Sequence, residues 1–133
     1  MRIHLAIAAA LAFAVTSLTP VFAAPPEKIG LMGLNNSGEV GTVTLAARGS
    51  KTEVSLSVQG GPKGVAQPAH VHRGSCDNLN PNPAFALSNV VSGRSNTLVN
   101  ASLSKLMSGN FAVNVHASTK NLKRYVACGE LVR

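Results

Sequence analysis

Apolar and polar residues alternate one by one along several short segments of this chain, and this alternation is the strongest constraint on its fold. In segment 53–58, EVSLSV, the side chains of Val54, Leu56 and Val58 fall on one face and the two serines on the other. Segment 41–47, GTVTLAA, repeats the pattern. A period of two is that of a β-strand with one buried face, because successive side chains point to opposite sides. No helical period of useful length follows the apolar N-terminal stretch, so the pattern predicts β-structure.

Gly, Asn, Pro and Ser interrupt the alternating segments at short intervals, which predicts turns between strands. The stretch ARGSK, 47–51, is typical of a hairpin turn in which Gly49 takes a positive φ. Segment 77–83 is predicted to be an Asn/Pro loop, and 102–108 a single helical turn. Further strands are predicted at 28–34, 67–72, 84–91, 96–101, 111–116 and 125–132. About eight short antiparallel strands indicate an all-β fold, a Greek-key β-barrel or sandwich.

The first 23 residues have the pattern of a cleaved secretory signal peptide. Arg2 supplies the charged start, and 5–15 is a small and apolar run of about half the roughly 20 residues that span a bilayer. Residues 21–23, Val-Phe-Ala, fit the small-x-small rule, which places cleavage after Ala23, with Ala24 as the second choice. We therefore expect a secreted or periplasmic protein, with one β-domain at 24–133 and no transmembrane segment after cleavage.

The expected mature domain contains two cysteines and has a net positive charge. An even number of cysteines in an exported chain favours a disulfide between Cys76 and Cys128. The formal charge is +7, and loss of the signal peptide with Arg2 would leave +6. This charge serves solubility, or it attracts small anions or an acidic envelope surface. Nucleic acid is not expected as a partner, because basic and aromatic residues are not interleaved.

Three histidines of the expected mature chain have a pattern that suits a metal ion. In PAHVHRGSC, 68–76, His70 and His72 flank Val71, so they share the face opposite to it. In FAVNVH, 111–116, the apolar residues fall on one face and His116 falls on the other. All three imidazoles are thus predicted on outer strand faces, either as solvated side chains or as ligands that converge on one ion. Three imidazoles suit copper or zinc, and the scarcity of carboxylates argues against Ca, Mg or Mn.

A ligand of a blue-copper site is a second interpretation of Cys76. Such a site usually has a histidine a few residues beyond the cysteine and then a methionine, and neither Cys76 nor Cys128 is followed in this way. The disulfide is therefore the favoured interpretation.

Three short motifs, in the same order, resemble copper/zinc superoxide dismutases. AHVHRGSC resembles their His-x-His and disulfide cysteine, VNVHAS a strand with a further copper histidine, and RYVACGEL their C-terminal Arg-x-Ala-Cys-Gly segment. The chain is also similar to chordin-type repeat domains, which have AHIH and VNVH strands. The resemblance implies a superoxide dismutase-like β-barrel in which His70, His72 and His116 bind one copper ion.

The resemblance also assigns the cysteines and an arginine. It implies that the Cys76–Cys128 disulfide ties the loop after the His-x-His strand to the last strand. Arg124 is the candidate for the arginine that guides superoxide, although the family usually places that arginine three residues before the cysteine and Arg124 is four before Cys128. The family's fourth copper histidine and its zinc ligands have no counterpart between Asp77 and Val115, so we expect a copper-only site and no zinc.

Three functions agree with this pattern. The first is an exported copper-binding protein that buffers or carries the metal on three histidines. The second is a copper-only superoxide dismutase, with superoxide as substrate. The third is a non-catalytic structural or interaction domain with a vestigial metal site. The sequence alone leaves open whether the protein is an enzyme.

Overall fold

The computed structural model describes residues 16–20 and 22–132. Most of the predicted signal peptide, residues 1–15 and 21, lies outside the described residues, so its cleavage stays a prediction. Within the described part of the chain, no helix is long and apolar enough to cross a membrane. The elements are the strands β1 (Glu27–Gly33), β2 (Val40–Arg48), β3 (Lys51–Gln59), β4 (Gln67–Ser75), β5 (Asn78–Val90), β6 (Arg94–Val99), β7 (Phe111–Ser118) and β8 (Asn121–Glu130), and the short helix α1 (Leu103–Ser108).

Eight antiparallel strands form a nearly closed barrel, which confirms the predicted all-β fold. The order of strands is β5-β4-β7-β8-β1-β2-β3-β6. The hairpins β4–β5 and β7–β8 lie side by side, and β8 pairs with β1 of the β1–β2–β3 meander. The connections at 60–66 and 100–110 cross between these two halves. At the seam between β5 and β6, the backbone N–H of Ser88 donates to Thr97 Oγ1 at 2.8 Å, and Ser95 Oγ donates to the Ser88 carbonyl at 2.6 Å.

The interior of the barrel is filled mainly by aliphatic side chains, together with Phe111, in keeping with the low aromatic content. In β3, Val54, Leu56 and Val58 point inward, as their alternation predicts. The predicted hairpin turn between β2 and β3 is present, with Gly49 at φ 63°. The predicted helical turn is α1, whose first turn is capped by Ser102, since its side chain accepts a hydrogen bond from the Lys105 backbone N–H.

The prediction of a loop at 77–83 is wrong, because β5 begins at Asn78 and continues through Pro81 and Pro83. β5 stands at one end of the strand order and its ladder is formed with β4 alone, with register shifts around His72 and Gly74. Proline has no backbone N–H to donate to a neighbouring strand. An edge strand tolerates it where the backbone faces away from its single partner strand, because no hydrogen bond is needed there. This irregular first part of β5 runs beside the histidines of β4 and therefore bears directly on the site.

The β7–β8 hairpin is also longer than predicted. β7 extends to Ser118 and β8 starts at Asn121, so the turn consists of Thr119 and Lys120 alone. The register of the two strands shifts on both sides of His116. The first residues of β8 pair with the end of β7, and the Leu122 carbonyl lies next to the ring of His116.

Cys76 and Cys128 form the predicted disulfide, with their Cα atoms 5.9 Å apart. It joins the turn between β4 and β5 to the C-terminal part of β8, and the Cys76 backbone N–H donates to the Glu130 carboxylate at 3.0 Å. The bond therefore holds the turn at the start of β5 against β8, the strand that pairs with β7.

We predict that the double substitution Cys76→Ala/Cys128→Ala lowers the free energy of unfolding by about 2–5 kcal/mol, because the bond restricts the unfolded chain. Chemical denaturation monitored by circular dichroism measures the change, and reduced wild-type protein is the control that lacks only the S–S bond. A loss below about 1 kcal/mol in both samples would contradict the stabilising role.

Candidate metal site

The pairing of β4 with β7 places the histidines on one face of the barrel wall. His70 lies opposite Asn114 and His72 opposite Ala112 in the antiparallel register. Val71, between the two histidines, is fully buried in the core. Because directly opposed residues point to the same side of a sheet, the two histidines project from the outer face together with Asn114.

The three rings meet, as the strand pattern predicts. His70 Nδ1 and His116 Nε2 are 2.9 Å apart. The ring centroids are separated by 5.5 Å for His70–His72, 4.9 Å for His70–His116 and 6.4 Å for His72–His116. One nitrogen from each ring lies within 4.8 Å of the other two, so the group could hold a metal ion.

The histidines lie outside the hydrophobic core, as expected, yet two of them are hidden from solvent. His72 is 1% and His116 is 4% exposed, and only His70 is partly open. The first part of β5 covers His72, and the β7–β8 hairpin covers His116. The alternative of solvated surface histidines therefore does not describe His72 and His116.

Backbone carbonyls determine which nitrogen of each buried ring is free. The Asn80 carbonyl lies 2.6 Å from His72 Nδ1, and the Leu122 carbonyl lies 2.6 Å from His116 Nδ1. A carbonyl only accepts, so each Nδ1 carries the proton and each neutral ring keeps the Nε2 lone pair. His70 Nδ1 consequently donates to His116 Nε2, and it would have to give up that proton before binding an ion.

Burial keeps the rings of His70 and His116 neutral. Desolvation, followed by the neighbouring His116 and His72, lowers the pKa of His70 below its ordinary value of 6.5. Desolvation also lowers the pKa of His116, although the hydrogen bond to the Leu122 carbonyl opposes this effect. Neutral imidazole is the form that binds metals, so both residues are prepared for that role near neutral pH.

One buried atom shows that the group fits a metal ion. His72 Nε2 has no hydrogen-bond partner, and leaving a buried polar atom unpaired costs about 1–3 kcal/mol. An ion bound by imidazoles at about 2.0–2.1 Å needs nitrogens about 3.3–3.6 Å apart in tetrahedral or trigonal geometry. The nitrogens, which are 2.9 Å apart at the His70–His116 pair and within 4.8 Å overall, need only small shifts to reach this spacing.

Arg124, the candidate for anion guidance, is directed away from the histidines, whereas its neighbour Tyr125 lies against them. The exposed Arg124 guanidinium donates to the Asn35 carbonyl at 3.2 Å. The Tyr125 ring lies edge-on to His116, with centroids 5.0 Å apart, and 6.5 Å from the ring of His72. Tyr125, three residues before the second cysteine, therefore lies against the imidazoles.

Two residues of the site escaped the sequence analysis. Asn114 is fully buried beside His116, and Tyr125 forms part of the wall. The position of Asn114 could have been recognised from the sequence, because a residue two before His116 on a strand lies on the same face as His116. Tyr125 had none, because its orientation depends on the shifted register of β7 and β8.

Comparisons of the chain with models of protein families, with curated proteins and with solved structures found no match. The likeness to superoxide dismutases therefore depends on the three motifs alone.

We predict that acid weakens the fold of the metal-free protein through these histidines. The unfolded chain takes up protons near pH 6.5, whereas the folded protein takes them up at lower pH, so stability should fall as the pH drops through that value. The free energy of unfolding, measured between about pH 5 and 8, should depend less on pH in the His70→Gln/His116→Gln variant. An identical pH dependence of the variant and the wild type would contradict the assignment.

Proposed function

We propose that this chain is an exported copper-binding protein of superoxide dismutase-like fold, which holds one copper ion on His70, His72 and His116 and buffers or carries it. The observation that carries the proposal is the buried, unpartnered Nε2 of His72, in a group of three imidazoles that each bring one ring nitrogen within 4.8 Å of the other two. A lone pair that has neither solvent nor a donor is a cost to the metal-free protein, and an ion would remove that cost.

The donor set favours copper over other metals. Three neutral imidazoles with no carboxylate among them are poor ligands for Ca, Mg and Mn. Between the two metals that imidazole suits best, a given site generally binds Cu²⁺ more tightly than Zn²⁺. A structural zinc site is normally completed by a further Cys, His or carboxylate, and no such residue joins the three imidazoles in the described part of the chain.

The order of the motifs supports the superfamily assignment. The His-x-His strand, the strand of His116 and the last strand with Cys128 are neighbours in the sheet, and the disulfide connects the first of these regions to the last. Export agrees with the disulfide and with the N-terminal pattern, because disulfides persist in oxidising compartments.

Copper binding without turnover is the better supported activity. A guiding cation would have to face the imidazoles, yet the guanidinium of Arg124 donates to the Asn35 carbonyl and the Tyr125 ring lies beside His116. The part of the chain that the structure describes has no histidine besides these three, and His4 belongs to the expected signal peptide. These features favour a protein that retains its ion over one that attracts and releases an anionic substrate.

The binding proposal is tested by titrating the mature protein with Cu(I) and with Cu(II) in competition with a chelator. We expect one ion per chain. His70→Gln, His72→Gln or His116→Gln should each lower the copper affinity about 100-fold or more, because mutation of residues that only hydrogen-bond to a metal ligand typically costs about 10–100-fold. Lys51→Gln is the control, because Lys51 is exposed on β3, four strands from β7. Absence of copper binding by the wild type would refute the proposal in favour of a vestigial site.

Superoxide removal by the copper-loaded protein should not exceed that of an equal concentration of the loaded Arg124→Gln variant, since Arg124 is directed to Asn35. Pulse radiolysis measures both rates directly. Rapid removal by the wild type, lost in the Arg124 variant, would instead support the copper-only superoxide dismutase.

A further inference from the structure

Asn114 is a buried polar residue whose polar groups are poorly used in the metal-free protein. Its side chain is fully buried, between His70 on β4 and Cys128 on β8 in the strand register. Its Oδ1 has no hydrogen-bond partner, and its Nδ2 makes a long contact of 3.4 Å with His116 Nε2. In the described part of the chain, Asn114 Oδ1 and His72 Nε2 are the two buried side-chain atoms left unpaired.

An apolar side chain would fit this position at lower cost, because buried polar atoms are nearly always paired in folded proteins. On the outer face of β7 and β4, the neighbours of Asn114 are Ala112 and two of the candidate metal ligands, His116 and His70. None of them donates a hydrogen bond to Oδ1. An unpaired acceptor beside three convergent imidazoles points to a cation as the missing partner.

A bound cation would reverse the preferred orientation of the amide. In the metal-free protein, Nδ2 faces the lone pair of His116 Nε2. Once that lone pair binds an ion, the N–H groups would face positive charge. A half-turn of the amide exchanges its donor and acceptor ends, which are nearly equal in size, and presents Oδ1 to the ion.

We propose that Asn114 is the fourth ligand of the metal site and that its side-chain oxygen binds the ion beside the three histidines. This inference rests on the proposed copper-binding function and adds the group that the three imidazoles leave missing. Oxygen is a harder donor than imidazole nitrogen, so the amide should favour Cu(II) more than Cu(I).

The test is Asn114→Leu, which keeps the approximate volume and removes the oxygen. We expect the Cu(II) affinity to fall about 10–100-fold, with a smaller loss for Cu(I) and a changed Cu(II) electron paramagnetic resonance spectrum. The melting temperature of the metal-free variant should equal or exceed that of the wild type, because an unpaired polar group is removed. Asn96→Leu, at an exposed position of β6, is the matched control and should leave copper affinity unchanged.

Asn114→Asp tests the same contact with the oxygen retained. The added negative charge should raise Cu(II) affinity about tenfold or more over the wild type and alter the same spectrum. Wild-type copper affinity and spectrum in both Asn114 variants, or in Asn114→Asp alone should the leucine variant not fold, would overturn the assignment. A wild type that binds no copper would overturn the proposed function itself, which distinguishes the two failures.

Discussion

Val71 of β4 and Val113 of β7 lie opposite each other inside the barrel. Their pairing brings His70 and His116, 46 positions apart in sequence, to the same place. Both side chains are fully buried, so a slip of one residue would expose them to the outer side. The same register that buries the valines turns His70 and Asn114 to the outer face. The position of the candidate site is thus a consequence of core packing.

The covering segments convert an outer strand face into a site. The Asn80 carbonyl of β5 and the Leu122 carbonyl of β8 each accept a hydrogen bond from the Nδ1–H of a histidine, and they leave Nε2 as the nitrogen without a proton in both rings. Such contacts to the second ring nitrogen are what orient metal-binding histidines in general. The disulfide holds the start of β5, where Asn80 lies, so the stability of the fold and the orientation of His72 are linked.

The sequence was sufficient for those features that follow from local alternation. The two-residue period of β3 and of 111–116 predicted the inward valines and the shared outer face of the histidines, and the cysteine count predicted the disulfide. The strand at 78–83 was missed, because its prolines are acceptable at an edge that only the complete sheet defines. The burial of His72 could not be predicted for the same reason, since the residues of the strand that covers it have the pattern of a loop. Asn114 was overlooked because an outward asparagine is ordinary unless a neighbour removes it from solvent.

The central claim is that one ion is bound through His70 Nδ1 and through Nε2 of both His72 and His116. Long-range proton–nitrogen NMR correlation of the imidazole rings tests it directly, because Cu(I) is diamagnetic and each ring nitrogen is observed separately. The account predicts that His72 and His116 carry their protons on Nδ1 in the metal-free protein. It also predicts that one equivalent of Cu(I) shifts those three nitrogens together and moves the His70 proton to Nε2. Shifts confined to one ring, or metal binding through Nδ1 of His72 or His116, would contradict it.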